Sequence, residues 1–429
     1  MTAKVTPIRA VADPKADGSP TGKPSTRELA EQLAVADSYA VGGQQLYAFL
    51  DGCYKPGERH LQQRIVELLE DGWSKRKAEE IVAFLRITSP ELWARPPLGV
   101  VNVPNGLLDV ETRELKPHTP EHLSPVRIAA AYDPAADCPA IDDFLKSTIP
   151  DLIPLFMEIV GYLLTPDNRQ QKAVMLKGQG GTGKTTALEV LSALLGHENV
   201  STVDLHRLEE DRFAAADLYG VLANVFADLP SHALNSSSIF KSITGGDYIR
   251  GERKHRDAFK FKPYCRLLFS ANEAPPTADN SDAFFERWLI VPFDHKHRGT
   301  GHEDKALLPK LTTNRELSGL LNRALDGLDR LRCQNGFTRT ATTDEAGERF
   351  RIDADSAAGF CDEGCMIHDG ARIAKPTLFK AYKAWCEENN RRPLASVRFS
   401  RRLRELHTLD EIATKGTDYW LGVELKGQP

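Results

Sequence analysis

The sequence predicts an α/β core, a largely parallel sheet flanked by helices, with a mainly helical region before it and a small basic unit after it. Two observations carry that prediction. Residues 173–176 (AVML) form a short apolar run of buried-strand type, followed at once by a glycine-rich stretch and by TALEVLSALL, whose apolar residues recur at helical spacing. Three more apolar runs follow, VLANVFAD (221–228), RLLFSAN (266–272) and RWLIVPF (287–293), each running into a polar or turn residue. Buried strands interleaved with helices make a parallel sheet, and such sheets bind ligands at the carboxyl ends of their strands.

Taken in order, residues 1–25 are rich in Pro, Gly, Ala, Ser and Thr without periodicity and are expected to form a disordered arm. From Thr26 onward TRELAEQLA, HLQQRIVELLEDG and SKRKAEEIVAFLRI place apolar residues three and four apart, so residues 26–145 are expected to be a mainly helical domain. Within it VVNVPNGLLDV reads as a hairpin turning at Asn105-Gly106. The apolar helix LIPLFMEIVGYLL leads into the core, assigned to 146–335; 336–355 reads as a linker and 356–429 as a C-terminal domain. No repeat with a period of 20 to 50 residues is found.

The stretch at 176–188, LKGQGGTGKTTAL, contains G-x-x-x-x-G-K-[ST] at Gly178 to Thr185. Strand, glycine-rich loop and helix stand in the order that aims a helix N-terminus at an anion. Gly178, Gly180, Gly181 and Gly183 let backbone N–H groups approach a phosphate, with Thr182 and Thr186 in the same loop. In this pattern Lys184 reaches the β/γ oxygens of a nucleotide and Thr185 ligates Mg²⁺.

The later strand ends supply further candidates. Asp228 closes its run where a P-loop ATPase needs a carboxylate for Mg²⁺ or for water; the plainer reading is a strand-terminal turn or helix cap. Asn272 is suited to orient a water near a γ-phosphate, and is equally an ordinary turn residue. Arg287 opens the next run as a candidate arginine finger, or as a surface partner of Glu286. Between Asp228 and Asn272, residues 250–262 hold six Lys or Arg against two acids, and IRGERKHRDAFKF alternates as a hairpin with Arg253, Lys254, His255 and Arg256 at its tip. A DNA-gripping loop and a solvated charged loop both fit; its place between two nucleotide-sensing strands favours the first. Residues 372–404 carry ten Lys or Arg against two acids on helical segments, a second candidate nucleic-acid face.

Bulk properties set limits. A net charge of −5 and a pI near 6.2 give no global nucleic-acid signature, so any DNA contact comes from local patches. Seven scattered cysteines point to reduced thiols and a cytoplasmic setting, and no apolar run is long enough to span a bilayer. Cys361, Cys365 and His368 lack a clear fourth ligand, so no metal other than Mg²⁺ is assigned.

Five pieces, GQGGTGKTT, LANVFADLP, FKSITGGDYIRGERKH, LLFSANEAPPTADN and AFFERWLIVPF, stand together in the order found in superfamily-3 helicases, the AAA+ ATPases of viruses, phages and plasmids. The chain resembles in particular the helicase part of phage and plasmid primase-helicases related to the poxvirus type. Upstream VVNVPNGLLDVETRELKPHTPEHL and YDPAADCPAIDDFL are similar to that family's helical N-terminal collar, and downstream TLFKAYKAWCEENNRRPLASVRFSRRLRELH and DYWLGVEL to its winged-helix module. The resemblance covers about residues 40–429. It implies an AAA+ P-loop ATPase core using ATP and Mg²⁺, with Lys184 and Thr185 on phosphate and metal, Asp228 as Walker B acid, Asn272 as sensor, Arg287 as a finger acting on a neighbouring subunit, and Lys254 with His255 contacting one DNA strand. It further implies a hexameric ring moving 3′ to 5′ on single-stranded and forked DNA, and leaves room for a separate primase. Two departures stand out: Thr182 replaces an Asn common in relatives, and Ala227-Asp228-Leu229 offers one acid where many have two. Asp228 would then serve both metal and water. The expectation is an ATP-driven DNA helicase for replication of a phage, prophage or plasmid. The alternative is an ATP-switched origin-binding initiator without processive unwinding; a small-molecule kinase is disfavoured by the basic hairpin and arginine-rich tail.

Overall fold

The computed structural model describes residues 24–427 except 231, 255, 278, 298–303, 305, 390, 392 and 415, so most of the expected N-terminal arm lies outside the described residues. The first helix, α1 (Thr26–Ala36), starts at Thr26 because Ser25 and Glu28 close a capping box. Three strands follow, β1 (Tyr39–Gly42), β2 (Gln45–Leu50) and β3 (Cys53–Pro56), forming an antiparallel meander. The helices α2 (Glu58–Leu69) and α3 (Lys75–Thr88) pack on it over Leu29, Leu33, Leu46, Leu61, Ile65, Ile81 and Leu85. A second meander, β4 (Val100–Val103), β5 (Gly106–Asp109) and β6 (Leu115–Lys116), completes the region.

The mainly helical reading of 26–145 is therefore corrected: its helices share the region with two three-stranded antiparallel sheets. The strands are short, four to six residues in the first sheet, too brief to show alternation. Their turns are nonetheless specific. Gly43-Gln44 and Asp51-Gly52 each place two successive residues at positive φ (52° and 63°, 50° and 82°), as two-residue hairpin loops of the primed type require. The hairpin expected at VVNVPNGLLDV forms, one residue earlier than its Asn-Gly signal: Pro104 and Asn105 make the loop and Gly106 pairs with Val103.

His122 sits in this region, buried edge-on against Trp93 at 5.1 Å between ring centroids. Burial, helped by the neighbouring His118, pushes its imidazole down to about 4. The unfolded chain therefore takes up this proton first, and stability present above pH 6.5 is lost as pH falls toward 4. We expect on the order of 2 kcal/mol to disappear across that window. His122→Phe should flatten that part of a melting-temperature versus pH curve; an unchanged slope would mean that other groups carry the transition.

The core opens with α4 (Pro139–Thr148) and α5 (Ile153–Leu164). It continues through β7 (Ala173–Lys177), α6 (Lys184–Leu195), β8 (Val200–Ser201), α7 (Leu205–Glu210), β9 (Ala223–Phe226) and α8 (Ser238–Gly245). The short antiparallel pair β10 (Ile249–Gly251) and β11 (Phe259–Phe261) precedes β12 (Arg266–Ala271), α9 (Asp282–Phe285), β13 (Trp288–Pro292), α10 (Leu307–Leu311) and α11 (Asn314–Cys333). The five strands β13-β7-β12-β9-β8 form one sheet in that order, every neighbouring pair parallel. The strand order reverses beside β7, since β8 and β9 lie on one side of it and β13 on the other, which opens a crevice at its carboxyl end. Among the described residues no single helix is long and apolar enough to cross a membrane. The apolar α5 is instead buried against α11, in backbone contact close enough that a Cβ at Gly327 would lie 2.2 Å from the Met157 carbonyl.

The linker expected at 336–355 is also corrected. It is the helix α12 (Ala341–Ala354), opened by a capping box of Thr340 with Thr343. It is laid on the core with Phe350 buried 5.6 Å from the Trp288 ring. Phe350 is the only large apolar residue facing inward, too sparse a signal for periodicity. Asp353 on its last turn pairs with Lys177, the residue before the glycine loop, at 2.7 Å. Beyond it lie α13 (Ser356–Gly364), β14 (Cys365–Ala374), α14 (Lys375–Glu388), α15 (Ser396–Leu406), β15 (Asp410–Thr414) and β16 (Thr417–Leu425), with an antiparallel sheet in the order β14-β16-β15. Leu378, Tyr382, Phe399, Leu403, Trp420 and Val423 fill this unit's own core. Asp355, fully buried, accepts from the first amides of α13 and pairs with Arg402 at 2.6 Å. Cys361 and Cys365 face the same core, whereas His368 is exposed and bonded to Glu424.

Candidate functional site

The glycine loop leaves β7 and enters α6 at the crevice beside the point where the strand order reverses. Gly178 is packed tightly, and a Cβ there would lie 2.1 Å from the Phe293 carbonyl, so only glycine fits. Gly181 and Gly183 hold positive φ (84° and 94°), a conformation that turns successive amides toward one side. The first i→i−4 bond of α6 is that of the Ala187 N–H to the Gly183 carbonyl at 2.9 Å. The amides of Lys184, Thr185 and Thr186 therefore have no acceptor within the helix and are free to meet an anion. Thr182 is buried and its hydroxyl closes the loop onto the Gln179 carbonyl at 3.0 Å. The Lys184 ammonium is held by the carbonyls of Gly178 (2.5 Å) and Gln179 (2.8 Å) and by Asn272 Oδ1 (3.1 Å). Burial lowers its pKa while Asp228 nearby opposes the shift, so this is a desolvated cation directed at the loop.

Three parallel strands bring the remaining groups together. Residues 180–186, Asp228, Ser270 and Asn272 line one cavity of about 390 Å³. Asp228 stands just past β9 at φ 61°, a left-handed conformation that Asp tolerates, and its amide donates to Ser270 Oγ at 3.1 Å. Ser270 Oγ thus fixes the turn that presents the Asp228 carboxylate. It was missed in the sequence, although Ser270 stands two residues before Asn272 at the end of the same apolar run. The structure gathers Lys184, Asp228 and Asn272 with the loop glycines and Thr185; Gly178 lies at the loop's root rather than on the cavity wall. The set offers free amides, one ammonium, one hydroxyl and one carboxylate, and this fits a polyphosphate with a divalent cation between Thr185 and Asp228.

Arg287 is not part of that cavity. It precedes β13, at the amino end of the sheet, where its carbonyl accepts from Ala173 and its Nη1 donates to the Ala283 carbonyl at 2.7 Å. Trp288 pairs with Ala173 and Pro292 with Lys177, so a rise of five residues, about 16 Å of strand, separates Arg287 from the level of the loop. The basic hairpin lies at the same amino end. Lys254 and Arg256 are exposed on it, and His255 lies outside the described residues. Arg253 is corrected: its guanidinium lies over the Phe259 ring at 5.1 Å and donates to the Gly43 carbonyl at 2.9 Å, tying the hairpin to the first meander instead of projecting from the tip.

The fold and the cavity together define an α/β protein with a crevice at the carboxyl ends of its parallel strands, and parts of the chain are similar to D5-type proteins and to a helicase-named relative. Residues 41–150 match a model described as D5 N terminal like, and residues 352–415 match one described as Poxvirus D5 protein-like. Residues 176–287, which hold the glycine loop and both later strand ends, match a family of unknown function, DUF5906. The chain is 26% identical over 162 residues to "Putative helicase L207/L206" of Acanthamoeba polyphaga mimivirus, 36% of this chain and 17% of that much longer protein. Its fold is similar to the apo NrS-1 C terminal region, with a TM-score of 0.52 at 11% identity over 94% of this chain and all of the other.

Proposed function

We propose that the chain is an ATP-dependent DNA helicase, working as a hexameric ring that moves 3′ to 5′ on single-stranded DNA in the replication of a phage, prophage or plasmid. The observation that carries the reading is the convergence of Lys184, Asp228 and Asn272 on one cavity at the strand carboxyl ends. The D5-like matches and the mimivirus relative support a replication enzyme. ATP would sit in the loop with Lys184 at its β/γ oxygens, and Thr185 and Asp228 would hold a Mg²⁺ whose charge neutralises those oxygens when bound. Asn272 orients the attacking water, and Asp228 accepts its proton. The core is an AAA+ domain, and the C-terminal unit, with helix, strand, two helices and two strands in that order, is a winged helix.

Asp228 is the only carboxylate on the cavity wall among the described residues, which keeps a second reading: an ATP-switched origin-binding initiator that assembles without processive unwinding. ATP hydrolysis with and without single-stranded DNA, run beside displacement of a labelled strand from a 3′-tailed fork, separates the two. Stimulation with displacement fits the helicase, and binding or hydrolysis without displacement fits the initiator. In the same assay Lys254→Ala, at an exposed hairpin position, is expected to reduce strand displacement by at least about tenfold by removing a phosphate contact. Displacement at the wild-type rate would discard the hairpin as the moving grip.

A further inference from the structure

Between the core and the C-terminal unit lies a second cleft, about 850 Å³, distinct from the crevice at the glycine loop. Its floor is made by residues 233 and 235, a few positions past Asp228, and by Pro276 and Thr277, past Asn272. Its opposite wall carries Lys383 on α14, Arg391 in the following loop and Arg398 on α15, and no acid lines it among the described residues.

We infer that this cleft binds the phosphodiester backbone of a single nucleic-acid strand. Three observations carry it beyond a basic surface. Lys383 and Arg398 are exposed and form no ion pair among the described residues, in a unit where Lys375, Arg402 and Arg404 are all paired with acids. Arg391, on the cleft wall, lies over the Trp385 ring at 5.0 Å, a stack that fixes its planar cation there. The wall also includes the start of α15, where Ala395 gives no side-chain cap and the first helical bond is that of Phe399, leaving the amides of residues 396–398 without an intrahelical acceptor. Unpaired cations, a stacked guanidinium and open amides in a recess suit the close-spaced phosphates of one strand. A duplex is far too wide for the cavity, whereas a strand alone can thread it.

The cleft is also built onto the nucleotide machinery. The Leu234 amide donates to the Pro276 carbonyl at 2.7 Å, and the Thr277 amide donates to the Ala354 carbonyl at 3.1 Å, joining both strand-end loops to the end of α12. A strand seated there touches the loops that follow Asp228 and Asn272, so its affinity and the occupancy of the glycine loop are linked reciprocally. This deepens the helicase reading and rests on it for the identity of the ligand.

The test is the salt dependence of binding to a fluorescent single-stranded oligonucleotide by the full chain, wild type against Lys383→Ala/Arg398→Ala. Loss of two phosphate contacts should weaken binding at least about tenfold at moderate salt and reduce the slope of log K against log salt by about 1.4. DNA-independent ATP hydrolysis and the melting temperature, measured alongside, report whether the variant is folded. An unchanged slope in a folded variant overturns the inference while leaving the helicase reading intact; a wild-type chain whose hydrolysis does not respond to DNA overturns that reading instead. Pyrophosphate binding lost in the variant while oligonucleotide affinity is retained would make the cleft a small-anion site and also overturn the proposal. As a second variant, Arg391→Lys keeps the charge but loses the planar stack, and should weaken binding with little change in slope.

Discussion

Lys184→Ala is expected to lower ATP hydrolysis by about a hundred- to a thousandfold, the scale seen when a preorganised donor to developing charge is removed. The geometry gives the reason. The ammonium rests on two loop carbonyls and Asn272, all neutral acceptors weaker than anionic phosphate oxygens. Its removal leaves the open amides of α6 to hold a phosphate without a charge, so weak nucleotide binding persists while turnover is lost. Phosphate release under saturating ATP measures the first effect, and the thermal shift produced by a non-hydrolysable analogue measures the second. Hydrolysis within about tenfold of wild type would remove the loop from the mechanism.

Arg287→Ala is the second large effect, and its logic depends on distance. An arginine side chain reaches less than half of the roughly 16 Å that separates Arg287 from the level of its own loop, so within one protomer it cannot touch a γ-phosphate. If it stabilises that charge, it does so in a neighbouring subunit's site. The expected loss in hydrolysis is about 10³-fold, the lower end for an arginine finger. Arg287 Nε is buried without a partner and Nη1 holds Ala283, so a melting curve must accompany the assay. Mixing Arg287→Ala with Lys184→Ala subunits provides the decisive measurement: each supplies what the other lacks across an interface, and partial recovery is expected at intermediate ratios. No recovery at any ratio in a mixture shown to co-assemble would assign Arg287 to structure alone.

What was legible in the sequence follows from how each signal is encoded. The four long strands of the core sheet were readable because both of their faces are buried and they appear as continuous apolar runs. The cavity residues were readable because a parallel sheet delivers strand-terminal residues to one edge. Ser270 escaped because it lies inside an apolar run and acts through the Asp228 amide rather than through charge. The first meander escaped because its strands are too short to alternate, although Asp51-Gly52 was an available turn signal. Arg253 was placed at a basic tip by charge counting, which cannot distinguish a guanidinium facing solvent from one stacked on Phe259. Helix α12 was taken for a linker because a helix that contributes one large apolar side chain carries almost no periodic signature.

That helix redraws where the protein can be cut. Phe350 fills a gap against Trp288 in the core, Asp353 holds the residue before the glycine loop, and Asp355, two positions later, holds Arg402 inside the C-terminal unit. A core fragment ending near residue 335 would expose an aromatic cavity and release Lys177, and a C-terminal fragment starting at Ser356 would lose the buried carboxylate that pairs with Arg402 and leave that arginine only Glu405. The core's contacts run as far as Asp353 and the C-terminal unit's begin at Asp355, so the seam is the single residue between them, Ala354, whose carbonyl itself accepts from the Thr277 amide at 3.1 Å.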